Sequence, residues 1–153
     1  FRNRFGPEIS PQKLIISPTP TFQFSKIWNF YFSSNARVLS HKIKKLGLKQ
    51  VVVARDGRLS GARIYSALIN SFLDNGVDVI NAGMVPSPLL YFAVEKFNTK
   101  NGVMITGSHN SKEYNGFKII LGSKTIFGQE IQDIKNDILQ GTYSKEIKTG
   151  NRE

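Results

Sequence analysis

Cysteine is absent from the 153 residues. That one absence removes disulfide staples, thiolate metal sites and thiol nucleophiles together, and it suits a reducing cytoplasm. Histidine is scarce as well: His41 and His109 are the only two, so a structural zinc site is also excluded. No run of 18 or more apolar residues occurs, which rules out a membrane-spanning helix and leads to the expectation of a soluble, cytoplasmic protein. Acidic residues are nearly missing from one end. Residues 1 to 50 carry nine Lys/Arg against the single acid Glu8, whereas residues 51 to 153 carry twelve against ten. A cationic front on a nearly balanced body reads as a separate tail or altered segment, not as a uniformly cationic fold built for nucleic acid. The chain begins with Phe1 and no signal-peptide series follows, so the first residue is expected to be a processing, cloning or gene-model boundary. What is present, 40% hydrophobic and 21% charged residues, suffices for one globular domain with a sizeable core and excludes collagen, coiled coil and wholesale disorder.

Four of the six prolines (Pro7, Pro11, Pro18, Pro20) fall in residues 1 to 34, where irregular backbone is expected. The aromatic run Phe22, Phe24, Trp28, Phe30, Tyr31 and Phe32 is too apolar for a solvated linker and must dock on the body or form a sticky surface. Val38, Leu39, Ile43 and Leu46 predict a helix with Ser34 or Asn35 as N-cap and Gly47 as its stop. From residue 51, strand and helix signals alternate, the order that builds α/β layers. Val51 to Ala54 is a short apolar run suited to a strand covered on both faces, and Ile64, Leu68 and Phe72 mark an amphipathic helix ended by Gly76. Val77 to Ile80 is a second strand, and Leu89, Leu90, Ala93, Val94 and Phe97 line a second helix. Val103 to Ile105 and Phe117 to Leu121 are further strands, and Ile131, Ile134 and Ile138 mark a last helix ending near Gly141. No internal repeat is present. The organisation expected is a divergent basic and aromatic segment over 1–34, an α/β domain over 35–145 and a tail over 146–153.

Two stretches carry chemistry. In Ala54-Arg55-Asp56-Gly57-Arg58-Leu59-Ser60-Gly61, Asp56-Gly57 supplies a turn and Ser60 can cap the following helix, roles that need no ligand. Yet ligands of α/β sheets bind at the carboxyl ends of strands, where Arg55 and Arg58 would suit a phosphate. The second stretch runs Thr106-Gly107-Ser108-His109-Asn110-Ser111-Lys112-Glu113-Tyr114-Asn115-Gly116-Phe117-Lys118. A long polar loop after an apolar strand presents successive backbone N–H groups, Gly107 and Gly116 permit close approach, and such a concavity favours an anion that Ser108 could carry covalently. A Ser-His hydrolase is disfavoured, because adjacent side chains seldom aim at each other and no G-x-S-x-G elbow is present. The alternative is a Ser/Asn turn beside a solvated Lys118, and composition alone favours that plainer reading.

Residues Val51 to Gly61, Gly76 to Pro88 and above all Gly102 to Ile120 resemble the first domain of the phosphomannomutase/phosphoglucomutase branch of the α-D-phosphohexomutases. The phosphoserine loop of that family reads T-[AG]-S-H-N-P-x-x-Y-N-G-F-K, which this chain misses only at Ser111, where the family has Pro. The resemblance runs in order from about residue 47 to 140. It implies a three-layer α/β/α domain with a mixed, mostly parallel sheet, the first of four domains. It further implies that Ser108 holds a transferable phosphoryl group, that His109 and Asn110 line the reacting centre with His109 among the catalytic residues, and that Thr106, Gly107 and Asn110 bind substrate or phosphate. Lys118 would assist proton transfer or hold negative charge, with Arg55 and Arg58 as phosphate-binding candidates. The implied reaction interconverts hexose 1-phosphate and hexose 6-phosphate through a bisphosphate, with glucose 1,6-bisphosphate or mannose 1,6-bisphosphate as activator.

The departures from the family are equally specific. Its D-G-D-x-D metal loop belongs to the second domain and has no counterpart here, so the implied Mg²⁺ would reach this chain only through the phosphate on Ser108, its carboxylate ligands lying in a domain outside these residues. A Y-D-I-R-G segment near the family's start is not intact; Phe1-Arg2-Asn3, continued by Arg4 to Pro11, resembles its end and makes Arg2 a remnant. The expected partners are hexose monophosphates and the family's domains II to IV, without a membrane, and negligible turnover is expected of this chain alone. Two other readings stand beside this one: a non-catalytic remnant or interaction module with exposed apolar faces, and, ranked lowest, nucleic-acid or acidic-surface binding by the basic aromatic front.

Overall fold

The computed structural model describes residues 8–10, 13–16, 25–112, 114–141 and 150–153, with side chains from residue 32 onward. The elements in chain order are β1 (Glu8–Ser10), β2 (Lys13–Ile16), α1 (Ser25–Lys45), β3 (Gln50–Arg55), α2 (Gly61–Asp74), β4 (Asp78–Met84), α3 (Ser87–Lys96), β5 (Gly102–Ile105), β6 (Asn115–Leu121), β7 (Lys124–Thr125) and α4 (Gln129–Gln140). They build one seven-stranded sheet in the order β1-β2-β6-β5-β3-β4, with β7 paired to β6.

The layers follow from the path of the chain. From β3 it steps to β4 on one side, then returns past β3 to β5 on the other, and both pairings with β3 are parallel. Right-handed crossovers in opposite directions place their helices on opposite faces. Accordingly α2, with α1 and α4, covers one face through Ile64, Leu68, Phe72, Leu39, Ile43, Ile131 and Ile134. On the other face, Leu90, Ala93 and Val94 of α3 pack on Val52, Ala54, Met104 and Ile120. The three-layer α/β/α fold and mixed sheet expected from the sequence are present. The parallel part is confined to the centre, β4, β3 and β5. Among the described residues four of the six strand pairings are antiparallel, more than the expected mostly parallel sheet contains. Of these, β6 and β7 are joined by Gly122-Ser123, both at positive φ, a two-residue turn whose twist matches the flanking strands.

The front of the chain is more regular than its prolines imply. β1 lies between Pro7 and Pro11, β2 between Pro11 and Pro18, and α1 begins after Pro20, so each described element fits in a proline-free interval. β2 pairs with β6 through Leu14↔Phe117 and joins this hairpin to the main sheet. The expected helix start at Ser34 or Asn35 is corrected to Ser25: both residues are buried inside α1. The periodicity that continues the helix upstream is Phe32, Ala36, Leu39 and Ile43, all buried, with the Phe32 ring edge-on to Phe117 at a centroid distance of 5.8 Å. Of the aromatic run, Trp28, Phe30 and Tyr31 belong to α1, while Phe22, Phe24 and the proposed remnant Arg2 lie outside the described residues.

β3 and β4 change register between Val53 and Ala54, leaving Ala82 as an extra residue between Asn81 and Gly83. The Tyr65 hydroxyl of α2 fills this bulge: it lies 3.0 Å from the Val53 carbonyl oxygen, contacts Asn81 Oδ1 and accepts the Gly83 N–H at 2.9 Å. Within the expected tail, residues 150–153 run beside the outer edge of β4. There the Val79 N–H donates to the Asn151 carbonyl at 2.7 Å, and the Glu153 N–H to that of Val79 at 3.0 Å. Among the described residues no helix is long and apolar enough to cross a membrane.

Candidate active site

β3 and β5 are adjacent and parallel, so the loops leaving their carboxyl ends are neighbours. This is also where the chain's direction across the sheet reverses, the point at which α/β sheets bind ligands. Arg55 ends β3, the β3–α2 loop carries Asp56 to Ser60, and the β5–β6 loop carries Thr106 to Lys112 and Tyr114. Asp56 N–H donates to the Ile105 carbonyl at 2.9 Å and Thr106 N–H to the Gly116 carbonyl at 2.9 Å, so both loops are tied down where they leave the sheet.

Ser108 stands exposed at the tip of its loop. Its φ of +54° is left-handed backbone, a conformation that a β-carbon disfavours relative to glycine. Buried Thr106 holds the approach, its Oγ1 accepting the Ser108 N–H at 2.8 Å, and the Asn110 N–H donates to the Gly107 carbonyl at 3.0 Å. Among the described residues the backbone N–H groups of His109, Ser111 and Lys112 make no hydrogen bond. Lys118 lies on β6 opposite Met104, on the α3 side of the sheet, half-buried and without an ion pair among the described residues. His109 is exposed and Asn110 half-buried.

The two arginines differ sharply. Arg55 at the end of β3 makes one hydrogen bond to described residues, from Nη1 to the Asp56 carbonyl at 3.1 Å, and keeps the rest of its guanidinium available. Arg58 has no such freedom. Its Nε donates to Asp56 Oδ2 at 3.1 Å, Nη1 to the carbonyls of Ser111 and Tyr114 (the latter 2.9 Å), and Nη2 to those of Ser108 at 3.1 Å and Asn110 at 2.8 Å. These acceptors engage all five N–H donors of a guanidinium. Gly107 lies directly beneath: a Cβ there would overlap Arg58 Cζ, Arg58 Nη1 and the Tyr114 carbonyl oxygen.

Sequence reasoning missed the partners of this arrangement. Asp56, read as a turn former, also accepts from the Arg58 backbone N–H at 3.1 Å and so fixes both ends of that residue. The signal was the Asp-x-Arg spacing, which lets a carboxylate fold back on a residue two positions later. Ser60, expected to cap α2, makes no cap hydrogen bond; its hydroxyl instead exchanges hydrogen bonds of 2.9 and 3.2 Å with the Asn115 side chain, a second link between the loops. The Ser60 backbone is helical (φ −69°, ψ −20°), which takes the side chain out of capping geometry. Among the described residues no three His, Asp or Glu side chains gather to hold a metal ion. The described residues therefore do not form a self-contained Mg²⁺ site.

The model of the phosphoglucomutase/phosphomannomutase alpha/beta/alpha domain I matches residues 29–145. The chain belongs to this family. A phosphoglucomutase from Neisseria meningitidis serogroup B is 40% identical over 114 residues, 74% of this chain and 25% of the relative. A phosphomannomutase/phosphoglucomutase from Pseudomonas aeruginosa is 46% identical over 101 residues, 63% of this chain and 22% of the relative. The chain thus spans about a quarter of the length of the relatives it matches. The crystal structure of a phosphoglucomutase/phosphomannomutase family protein from Burkholderia thailandensis superposes with a TM-score of 0.78 at 31% identity, covering 95% of this chain and 33% of that one. The domain I fold of the family is therefore present, and the two loops that meet at the switch point belong to it.

Proposed function

We propose that these residues form the phosphoryl-carrying domain of a phosphohexomutase, with Ser108 as the carrier. The observation that carries the reading is Ser108 itself: an exposed hydroxyl on left-handed backbone that glycine would adopt more easily, in a loop where the N–H groups of His109, Ser111 and Lys112 bond nothing among the described residues. A serine kept at such a position is explained by its side chain. A phosphoserine brings a charge of about −1.5 to −2, which needs donors and a cation nearby. The N–H groups of His109, Ser111 and Lys112 are the donors; Arg55 and Lys118 are the cations.

In the proposed cycle a hydroxyl of a hexose monophosphate attacks the phosphorus on Ser108. The bond from phosphorus to Ser108 Oγ breaks, a bond to the sugar oxygen forms, and the proton lost by that hydroxyl ends on Oγ, with Lys118 the group best placed by type to hold charge or relay it. The sugar bisphosphate then returns its other phosphoryl group to Oγ by the reverse exchange, so phosphate moves between O1 and O6 of the sugar. Glucose 1,6-bisphosphate or mannose 1,6-bisphosphate would load an empty Ser108 by that second half-reaction. Because transfer of this kind depends on alignment and charge neutralisation, and no metal-ligand cluster is found among the described residues, residues 1–153 alone are expected to turn over hexose phosphates negligibly. In this reading the choice of sugar belongs to the family's other domains.

Intact mass after exposure to glucose 1,6-bisphosphate tests the reading. One added phosphate, absent in Ser108→Ala, is expected; no addition, or addition that survives Ser108→Ala, removes it. A coupled assay for glucose 1-phosphate conversion by the chain alone should read background.

A second reading, an interaction module, draws on the apolar side chains left exposed, among them Leu59 at 98%, Phe92 at 63% and Met84 at 62%. It predicts self-association by size exclusion, and a clean monomer counts against it.

A further inference from the structure

Arg58 reads from sequence as a phosphate ligand, but its surroundings give it another task. Its side chain is 13% exposed and runs from the β3–α2 loop into the ring of the β5–β6 loop, where four carbonyl oxygens, those of Ser108, Asn110, Ser111 and Tyr114, turn toward one guanidinium. In a trans peptide the C=O of one residue and the N–H of the next point in opposite directions. No cis peptide is present among the described residues. Drawing the carbonyls of Ser108, Asn110 and Ser111 inward to Arg58 therefore turns the N–H groups of His109, Ser111 and Lys112 outward, and these are the three amides that bond nothing among the described residues. The same pull holds the Ser108 tip in its left-handed conformation, because the carbonyl just after its Cα is one of the four captured.

We infer that Arg58, anchored by Asp56, is a positioning residue: it shapes the Ser108 loop from within and leaves contact with the phosphate to the outward amides. This rests on the reading of Ser108 as phosphoryl carrier and deepens it. Lysine cannot substitute. A guanidinium offers five donors in a planar fork, whereas an ammonium offers three around one atom and cannot reach an anchoring carboxylate and four separated carbonyls together.

The test is a titration of the 15N-labelled chain with inorganic phosphate, followed through backbone amide and arginine Nε–H signals. In the wild type the amides of His109, Ser111 and Lys112 should shift while Arg58 Nε–H stays in place. In Arg58→Lys those loop amides should be displaced before any phosphate is added and lose their response to it, with core amides such as Val53 and Leu68 unchanged. Phosphorylation by glucose 1,6-bisphosphate should fall on the order of 100-fold, as expected when a reacting group is misplaced by about an ångström. Movement of Arg58 Nε–H on phosphate addition, or an Arg58→Lys loop spectrum identical to wild type, overturns the inference. Should Arg58→Lys fail to fold, Asp56→Asn, which keeps the guanidinium and weakens its anchor, should show the same loop changes in smaller measure; an unchanged loop overturns the inference equally. If wild-type amides ignore phosphate while Arg58→Lys still displaces the loop, the Ser108 reading fails and the positioning role stands.

Discussion

Two irregular stretches of backbone in this chain are each held by one long side chain from another element. At the β3/β4 bulge, Tyr65 occupies the gap, and the Gly83 N–H is satisfied twice, by the Tyr65 hydroxyl at 2.9 Å and by Asn81 Oδ1 at 3.0 Å. At the Ser108 loop, Arg58 occupies the interior, but it takes up carbonyls only and leaves amides facing outward. The first irregularity is half-buried and closed by hydrogen bonds within the protein. The second has donors in reserve and a hydroxyl at its tip. Hydrogen-bond completeness separates backbone distorted for packing from backbone distorted to receive something, because a buried polar group must be paired within the protein while an exposed one can wait for a ligand.

Substitution can pull the two apart. The largest effect is expected from Gly107→Ala, whose methyl group would occupy the space of the Arg58 guanidinium. Phosphate uptake from glucose 1,6-bisphosphate, read by intact mass over time, should slow on the order of 100-fold, with a cost of about 1–3 kcal/mol in urea unfolding from the overlap with the Tyr114 carbonyl. If the variant loads phosphate at the wild-type rate, the loop does not need the arginine beneath it.

Tyr65→Phe should do the reverse. Loss of the hydroxyl removes the single O–H that the Val53 carbonyl and Asn81 Oδ1 share and one of the two acceptors of the Gly83 N–H, a cost of about 1–3 kcal/mol in urea unfolding, with phosphate loading unaltered. The pH dependence sharpens this. Burial pushes the Tyr65 hydroxyl above its usual value, against smaller opposing effects of the Gly83 hydrogen bond and the charges of Arg152 and Arg55. A raised folded-state value means that the stabilisation is complete below the ordinary tyrosine range and is lost as pH rises through the folded value. Wild type should therefore weaken toward alkaline pH more than Tyr65→Phe does; parallel pH profiles would remove Tyr65 from the account. The smallest effect belongs to Lys42→Ala. The Lys42–Asp137 pair joins α1 to α4 at 2.8 Å, but both side chains are about a third exposed, so its loss should cost less than about 1 kcal/mol and fade in high salt.

The α/β centre was legible in the sequence because its signals are local and strong. Val51 to Ala54 is apolar throughout, as a central strand must be, and Ile64, Leu68 and Phe72 fall every four residues on the buried side of α2. The start of α1 was misplaced because Ser34 and Asn35 are cap residues by type, whereas the helix is set by the stripe that Phe32 extends onto Phe117. The excess of antiparallel pairing was equally hidden, since β2 joins β6 across a long sequence separation. Within the site, the Ser108 loop could be read from residue types in order. The difference between Arg55 and Arg58 could not: they stand three residues apart at the end of β3 and in the loop after it, and only the approach of a second loop, some fifty residues later, decides which is enclosed.

Residues 150–153 have a consequence for colloidal behaviour. β4 is the outermost strand on its side of the sheet, and an uncovered border strand is a template on which a second molecule can extend the sheet. By satisfying the Val79 and Asn81 N–H groups, this short stretch acts as a selvedge that keeps the fabric from being stitched to another copy.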